Sequence, residues 1–135
     1  RFQMEIDWPR NYRVSFMIRV LVDACGWKAV IDAGINIDRA LSEAVGITNL
    51  ALLPNVIKEL ESIEGNLMLD MLKAKSVIVE SPENCGNHTD DQLLQLSIDN
   101  RWPILTVDSE LKRRISQSNL PWLEVIGGKH IRLVE

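Results

Sequence analysis

The stretch that decides the fold is residues 88–111, which reads HTDDQLLQLSIDNRWPILTVDSEL. It begins with two acids, Asp90 and Asp91, at the head of a run with helical spacing. The apolar residues 103–107 follow and are typical of a buried strand, and Asp108 comes directly after them. A helix that leads into a strand is typical of an α/β domain. The acids at both junctions are either ordinary caps or parts of a metal site.

Each of these acids has a structural explanation when it is considered singly. Thr89 can cap the helix, and Gln92 three residues later completes a capping box. Acids in the first turn also interact favourably with the helix dipole. For the next helix, either Asp108 or Ser109 serves as the cap. Asp23 is less routine, because it ends a buried strand and Asp has a low propensity for strands and for burial without a partner.

Strand-type and helical runs alternate along the rest of the chain. Strands are predicted at 18–23, 49–53, 76–80 and 103–107, and as two strands around a Gly-Gly turn within 121–135. Helices are predicted as one helix over 26–46, from an Asn cap to Gly65 over 55–65, and over 66–75, 89–100 and 109–118. This order predicts a three-layer α/β/α sandwich with a central, mainly parallel sheet. Ligands of such sheets gather at the carboxyl ends of the strands, where Asp23 and Asp108 fall.

The bulk properties indicate a single globular domain. The chain has 135 residues, of which 46% are hydrophobic and 25% charged. No apolar run approaches the ~20 residues that span a bilayer, so we expect a cytoplasmic protein without a membrane partner. Residues 1–16 lack a clear helical period and are predicted to form an N-terminal extension to a domain over 17–135. Cys25 and Cys85 lie far apart without a CxxC motif, so we expect neither a disulfide nor a zinc site, and interpret both as small buried apolar residues.

Carboxylates gathered at one sheet edge would indicate metal-dependent phosphodiester chemistry. Such groups repel one another, and their pKa values rise unless cations compensate. Mg²⁺ and Mn²⁺ prefer oxygen ligands, and two such ions about 4 Å apart can stabilise an in-line displacement at phosphorus. Bound cations would also reconcile the net charge of −4 with a nucleic-acid partner.

Four segments, in this order and spacing, resemble a PIN domain, the PilT N-terminal family of metal-dependent ribonucleases. They are VLVDACGW, LLPNVIKELESI, HTDDQLLQLSIDN and PILTVDSELKRRI, and the pattern covers residues 18–126. The likeness is closest to the archaeal and eukaryotic subgroup linked to ribosomal-RNA processing, whose late part reads ADD and then TxDxxLKRRI. VapC-type toxins of toxin–antitoxin pairs share the same core. The resemblance implies a Mg²⁺- or Mn²⁺-dependent endoribonuclease that leaves a 5′-phosphate and a 3′-hydroxyl.

The resemblance also implies the site residues. It assigns catalytic roles to Asp23, Glu59, Asp90 and Asp108, and metal binding to Asp23, Asp90, Asp91 and Asp108. Periodicity alone does not select Glu59, which is chosen because it matches the glutamate of a V-x-x-E-L pattern. Asp91 is interpreted as a ligand of a second ion or as a ligand acting through water.

The first acid is followed by a departure from the family pattern. The family has Thr or Ser and then Asn or a small residue, whereas this chain has Ala24 and Cys25. We expect the missing hydroxyl to weaken the orientation of the Asp23 carboxylate. Asp32, in a similar setting, falls inside a helical pattern and is interpreted as helix surface.

Three basic residues, Lys112, Arg113 and Arg114, follow the last acid on a short helix. One interpretation is a solvated helix face with cations toward its C-terminal part, and the other is contact with RNA phosphates. We expect RNA, single-stranded or structured, as the substrate, an antitoxin or a ribosome-assembly protein as a partner, and a homodimer, as the family implies. The alternative is a PIN scaffold that binds RNA or a protein partner without cutting.

Overall fold

The computed structural model describes residues 18–46, 48–63 and 66–135. The predicted N-terminal extension, residues 1–16, and the predicted helix end at Gly65 lie outside the described residues. The strands are β1 (Val20–Val22), β2 (Leu50–Leu52), β3 (Ser76–Ile78), β4 (Ile104–Leu105), β5 (Trp122–Ile126) and β6 (His130–Val134). The helices are α1 (Ala24–Ala33), α2 (Ile37–Val45), α3 (Pro54–Ile63), α4 (Asn66–Lys75), α5 (Thr89–Asn100) and α6 (Ser109–Gln117).

The six described strands form one sheet in the order β3-β2-β1-β4-β5-β6. The first five strands are parallel, and β6 pairs antiparallel with β5 across the predicted Gly-Gly turn. The predicted α/β fold with a mainly parallel central sheet is therefore confirmed. The strand order changes direction between β1 and β4, and in parallel sheets a crevice for ligands opens at the carboxyl ends of the two strands at such a point.

The sheet forms the centre of the core. Every residue of β1, β2 and β4 is buried, as expected for parallel strands covered by helices on both faces. Trp27 on α1 is only 2% exposed, and its indole N–H donates to the Met68 carbonyl of α4 at 3.2 Å. Among the described residues, no helix combines the length and the apolar character needed to cross a membrane.

Helix α1 packs unusually close to the end of β4, and this contact requires a glycine. A Cβ atom at Gly26 would lie 2.3 Å from the Leu105 carbonyl oxygen, well inside van der Waals contact. The absence of a side chain at Gly26 lets the first turn of α1 approach the backbone of β4. The residue before this helix, Asp23, is thereby held beside the residue after β4, Thr106.

Two helix predictions need correction. The single helix predicted over 26–46 is two helices, because Gly34 adopts a left-handed conformation with φ of 67° that ends α1. Asn36 then caps α2 by accepting a hydrogen bond from the Arg39 backbone N–H. The third helix begins at Pro54, whose fixed φ suits a first turn, so Asn55 is not its cap.

Candidate functional site

Asp23 lies at the carboxyl end of β1 and is the N-cap of α1. It is 5% exposed, and a buried carboxylate is tolerated only when hydrogen bonds satisfy it. Its Oδ1 accepts from the Ala24 backbone N–H at 2.9 Å. Its Oδ2 accepts from the Thr106 hydroxyl at 2.8 Å and from the Cys25 thiol at 3.1 Å. Three donors therefore fix the orientation of this carboxylate.

Thr106 links the acids at the ends of β1 and β4. Its side chain is fully buried, and while its hydroxyl donates to Asp23 it also accepts from the Asp108 backbone N–H at 3.1 Å. One hydroxyl thus sets the position of the Asp23 carboxylate and of the backbone that carries Asp108.

Cys25 is a hydrogen-bonding residue, and its interpretation as a small apolar residue is wrong. Besides donating to Asp23, its sulfur lies 3.3 Å from the Thr106 hydroxyl oxygen. Burial, and then the negative charge of Asp23, raise the pKa of the thiol to about 11. The thiol is therefore protonated at neutral pH and can donate. The expected loss of orientation at Asp23 is not observed, because Cys25 and Thr106 supply the donors. The same interpretation is wrong for Cys85, whose part-buried thiol donates to the Asp91 carbonyl at 3.2 Å.

Asp108 caps α6, as one of the two sequence interpretations proposed. Its Oδ1 accepts from the backbone N–H groups of Glu110 at 2.8 Å and Leu111 at 3.1 Å. The residue is exposed at the carboxyl end of β4. The cap explains why the helix starts there, and it also fixes the direction of this carboxylate.

An open cleft of about 550 Å³ lies at the start of α5. Its lining combines acids, one cation and polar groups: Glu59, Asn87, His88, Thr89, Asp90, Asp91 and Arg114. Glu59 reaches the cleft from α3, where its exposed carboxylate accepts a hydrogen bond from the Thr89 hydroxyl.

The predicted capping box at the start of α5 is wrong. The N-cap is His88, whose side chain makes no capping hydrogen bond, and Thr89 is the first residue inside the helix. The hydroxyl of Thr89 instead binds the carboxylate of Glu59, a stronger acceptor than a neutral group. Gln92 is buried, and its amide N–H donates to the Gly86 carbonyl at 2.9 Å.

Asp90 shows how the predicted catalytic acids relate to one another. Partial burial raises its pKa, and the negative charges of Asp23, Asp108 and Glu59 raise it further, while Arg114 lowers it. Asp23, Asp108 and Glu59 therefore each act electrostatically on Asp90, although the chain contributes these acids from the ends of β1 and β4 and from α3.

These acids suit a divalent cation in chemistry but are not assembled around one. The donor set consists of carboxylates, which Mg²⁺ and Mn²⁺ prefer, and a cation would offset both the burial and the neighbouring negative charges that raise the pKa of Asp90. Within residues 18–46, 48–63 and 66–135, no group of three or more His, Cys, Asp or Glu side chains is placed to hold a metal ion. Binding of a metal ion would therefore require these side chains to move closer to one another.

The basic residues of α6 differ in their surroundings. Arg114 lines the cleft and pairs with Asp91, the fifth predicted site acid, at 2.7 Å. Lys112 pairs with Glu124 on β5 at 3.0 Å, and Arg113 pairs with Glu110. Neither Lys112 nor Arg113 is among the residues that line the cleft. The structure thus brings Arg114 to the acids and directs the other two toward partners on the protein surface.

The sequence did not reveal the side-chain contacts that three residues of this region make. Thr106 was visible as the threonine of the T-x-D pattern, although nothing in the sequence indicated a bond to Asp23. Thr89 lies where a helix cap is expected, so its hydroxyl was assigned to capping and its contact with Glu59 was not predicted. For Cys25 there was no signal, because a cysteine without a nearby partner in sequence is ordinarily an apolar residue.

Among the comparisons with known proteins, the one with solved structures supports the fold. No family model matches the sequence, and no curated protein matches it. Among solved structures, the chain is similar to the PIN domain endonuclease Utp24, with a TM-score of 0.72 and 21% sequence identity. The similarity covers 85% of this chain and 90% of that chain. At this identity the likeness concerns the fold, and the fold of this chain is that of a PIN domain.

Proposed function

We propose that this protein is a Mg²⁺- or Mn²⁺-dependent endoribonuclease. The observation that carries the proposal is the electrostatic action of Asp23, Asp108 and Glu59 on Asp90, which lines the open cleft together with Glu59. Asp23 and Asp108 follow β1 and β4, the two strands between which the strand order changes direction. The similar structure, Utp24, is described as an endonuclease, which supports the same reaction class.

The chain's own residues would hold the cofactor and the substrate in different ways. Asp23, Glu59, Asp90 and Asp108 would hold one or two ions, with Asp91 at the side, and a bound ion would supply positive charge to a phosphodiester during displacement. Asp23 is pre-oriented by its three hydrogen bonds and Asp108 by its role as a cap. Arg114 supplies the cation of the cleft and would contact an RNA phosphate.

The proposed reaction is hydrolysis of RNA by in-line attack of water. A carboxylate of the cluster accepts the proton of the attacking water. The bond between phosphorus and the leaving 3′-oxygen breaks, and that oxygen takes a proton from solvent water, which gives a 5′-phosphate and a 3′-hydroxyl. With a net charge of −4, binding of RNA depends on cations in the cleft and on Arg114. We infer a role in RNA processing or as a toxin in the cytoplasm, with a ribosome-assembly protein or an antitoxin as a partner, and a homodimer as the assembly.

The test is the loss of activity on removal of one carboxylate charge. We expect Asp23→Asn and Asp108→Asn each to reduce Mn²⁺-stimulated cleavage of single-stranded RNA to background while circular dichroism shows the fold intact. Asp32→Asn is the matched control, because Asp32 lies on the exposed face of α1 and pairs with Lys28. The proposal fails if cleavage is unchanged in both site variants.

A second function, a PIN scaffold that binds RNA or a protein without cutting, is favoured by one observation. In the described part of the chain the side chains that could hold a metal ion are not grouped. Calorimetric titration with Mn²⁺ separates the two functions. Binding at micromolar to millimolar Mn²⁺ that is lost in Asp23→Asn supports the nuclease, and the absence of heat at millimolar Mn²⁺ supports the scaffold.

A further inference from the structure

Two side-chain hydrogen bonds connect the N-terminal half of α3 to the start of α5. Asn55 and Glu59 lie one turn apart on α3 and therefore on the same face of the helix. The Asn55 side-chain N–H donates to the Asn87 carbonyl at 2.7 Å, and the Thr89 hydroxyl donates to Glu59 Oε2 at 2.5 Å. Asn87 and Thr89 lie on either side of the N-cap of α5, and both line the cleft. The two hydrogen bonds therefore position α3 beside the cleft.

We propose that Thr89 is a positioning residue that holds the carboxylate of Glu59 at the metal-binding cleft. The inference rests on the proposed function, because it assigns Thr89 a role through Glu59 at that same site. Thr89 does not touch the substrate or cofactor in this role. It acts by selecting the side-chain conformation of its partner.

The geometry explains why Glu59 needs such a partner. Glu59 is exposed on α3, and an exposed glutamate distributes over many rotamers. A charge-assisted hydrogen bond from Thr89 favours the rotamer that places the carboxylate at the cleft. The negative charge of Glu59 then acts on Asp90 at the start of α5.

The position of Thr89 also shows that its hydroxyl is not used to start α5. The N-cap is His88, and Thr89 follows it as the first helical residue. The hydrogen bond from the Asn55 side chain to the Asn87 carbonyl already fixes the backbone on the other side of the N-cap. The bond from Thr89 to Glu59 is therefore available to orient a side chain, and removing it should leave the helix in place.

The experiment is a double-mutant cycle read by the affinity for Mn²⁺ in calorimetry. We expect Thr89→Ala to weaken Mn²⁺ binding about 3- to 10-fold, the size of one hydrogen bond to a partly exposed carboxylate, and Thr89→Ser to stay near the unmodified protein. Glu59→Ala, which removes the acceptor of this hydrogen bond, should weaken binding as well. In the Glu59→Ala background, Thr89→Ala should add nothing, because Thr89 acts only through the Glu59 carboxylate.

Ser62→Ala is the matched control for the loss of a hydroxyl. Ser62 lies on the same helix and donates to Glu59, but to its backbone carbonyl at 2.7 Å and not to its carboxylate. Its removal should leave Mn²⁺ affinity unchanged. In RNA cleavage, Thr89→Ala should lower kcat with little change in KM, since Thr89 does not contact the RNA.

Four results would overturn the inference. They are an unchanged Mn²⁺ affinity in Thr89→Ala, a loss that persists in the Glu59→Ala background, a serine variant as weak as the alanine variant, and no effect of Glu59→Ala itself. If Asp23→Asn abolishes Mn²⁺ binding while Thr89→Ala has no effect, the inference falls and the proposed function stands. If the unmodified protein binds no Mn²⁺, the nuclease proposal falls and the role of Thr89 falls with it.

Discussion

A single hydroxyl, that of Thr106, joins the two acids that follow β1 and β4. It donates to the Asp23 carboxylate and accepts from the Asp108 backbone N–H, and its side chain is fully buried. Removal of the hydroxyl would leave the Asp108 backbone N–H without this acceptor and the buried Asp23 carboxylate with one donor fewer. The cost of such a group in a buried position is larger than the net contribution of an ordinary hydrogen bond.

We expect Thr106→Val to destabilise the protein by about 1–3 kcal/mol, because valine matches the shape of threonine but leaves Asp23 and the Asp108 N–H short of a partner. Urea denaturation measures this difference. Thr106→Ser is the control, since it keeps the hydroxyl. Equal stability of the valine variant and the unmodified protein would show that Thr106 contributes packing and no essential hydrogen bond.

At the scale of elements, one carboxylate joins α6, β5 and β6. Glu124 on β5 is 8% exposed and accepts from Lys112 on α6 at 3.0 Å and from Arg132 on β6 at 2.6 Å. The Trp122 indole N–H donates to the same carboxylate at 2.9 Å. Burial raises the pKa of Glu124, but the three donors outweigh it and lower the pKa to about 2. The antiparallel edge of the sheet is thereby attached to the last helix.

The stability from Glu124 should depend on pH in a defined window. A carboxyl group with a depressed pKa stabilises the fold fully above its ordinary value of 4.5, and this contribution is lost as the pH falls toward 2. The depression corresponds to a contribution on the order of 3 kcal/mol. Glu124→Gln should therefore be destabilising at pH 7, and the difference in unfolding free energy should shrink between pH 4.5 and 2.

Urea denaturation of both proteins across this range measures the effect. Glu110→Gln serves as the control, because Glu110 pairs with Arg113 on the exposed face of α6. A difference between Glu124→Gln and the unmodified protein that stays constant with pH would contradict the assignment of the stability to the ionised carboxylate.

At the scale of the whole molecule, the fold gathers like charges that the chain keeps apart. Asp23, Glu59 and Asp108 act on Asp90 from three other segments, and Arg114 offsets them only in part. Such a cluster lowers stability in the absence of cations, and proteins commonly retain this kind of strain where function requires it.

We expect Asp90→Asn to stabilise the metal-free protein, because burial and the negative charges of Asp23, Asp108 and Glu59 disfavour the ionised carboxyl in the fold. Thermal unfolding without divalent ions measures the effect. Asp91→Asn is the matched control on the same helical turn, and it should not stabilise, because Asp91 pairs with Arg114. Addition of Mn²⁺ should stabilise the unmodified protein more than Asp90→Asn, and an equal response would contradict a shared cation at Asp90.

The alternation of apolar runs was sufficient to predict most elements of the fold. The strands, the β5–β6 hairpin and the cap at Asp108 follow from local patterns, because a hydrophobic period and a capping side chain act within a few residues. The break between α1 and α2 was missed, because an isolated glycine inside a helical pattern is often tolerated, and here Gly34 ends the helix.

The sequence by itself determined the order of the strands, most of the helices and the acids that follow β1 and β4. Only the tertiary structure decided which side chains those acids meet. Thr106 reaches Asp23 across 83 residues of sequence, and Thr89 reaches Glu59 across 30. The physical reason is that backbone preferences and hydrophobic periods are local, whereas a hydrogen bond between distant residues depends on how closely two elements pack. Here that packing is set by contacts such as the close approach of Gly26 to the Leu105 carbonyl.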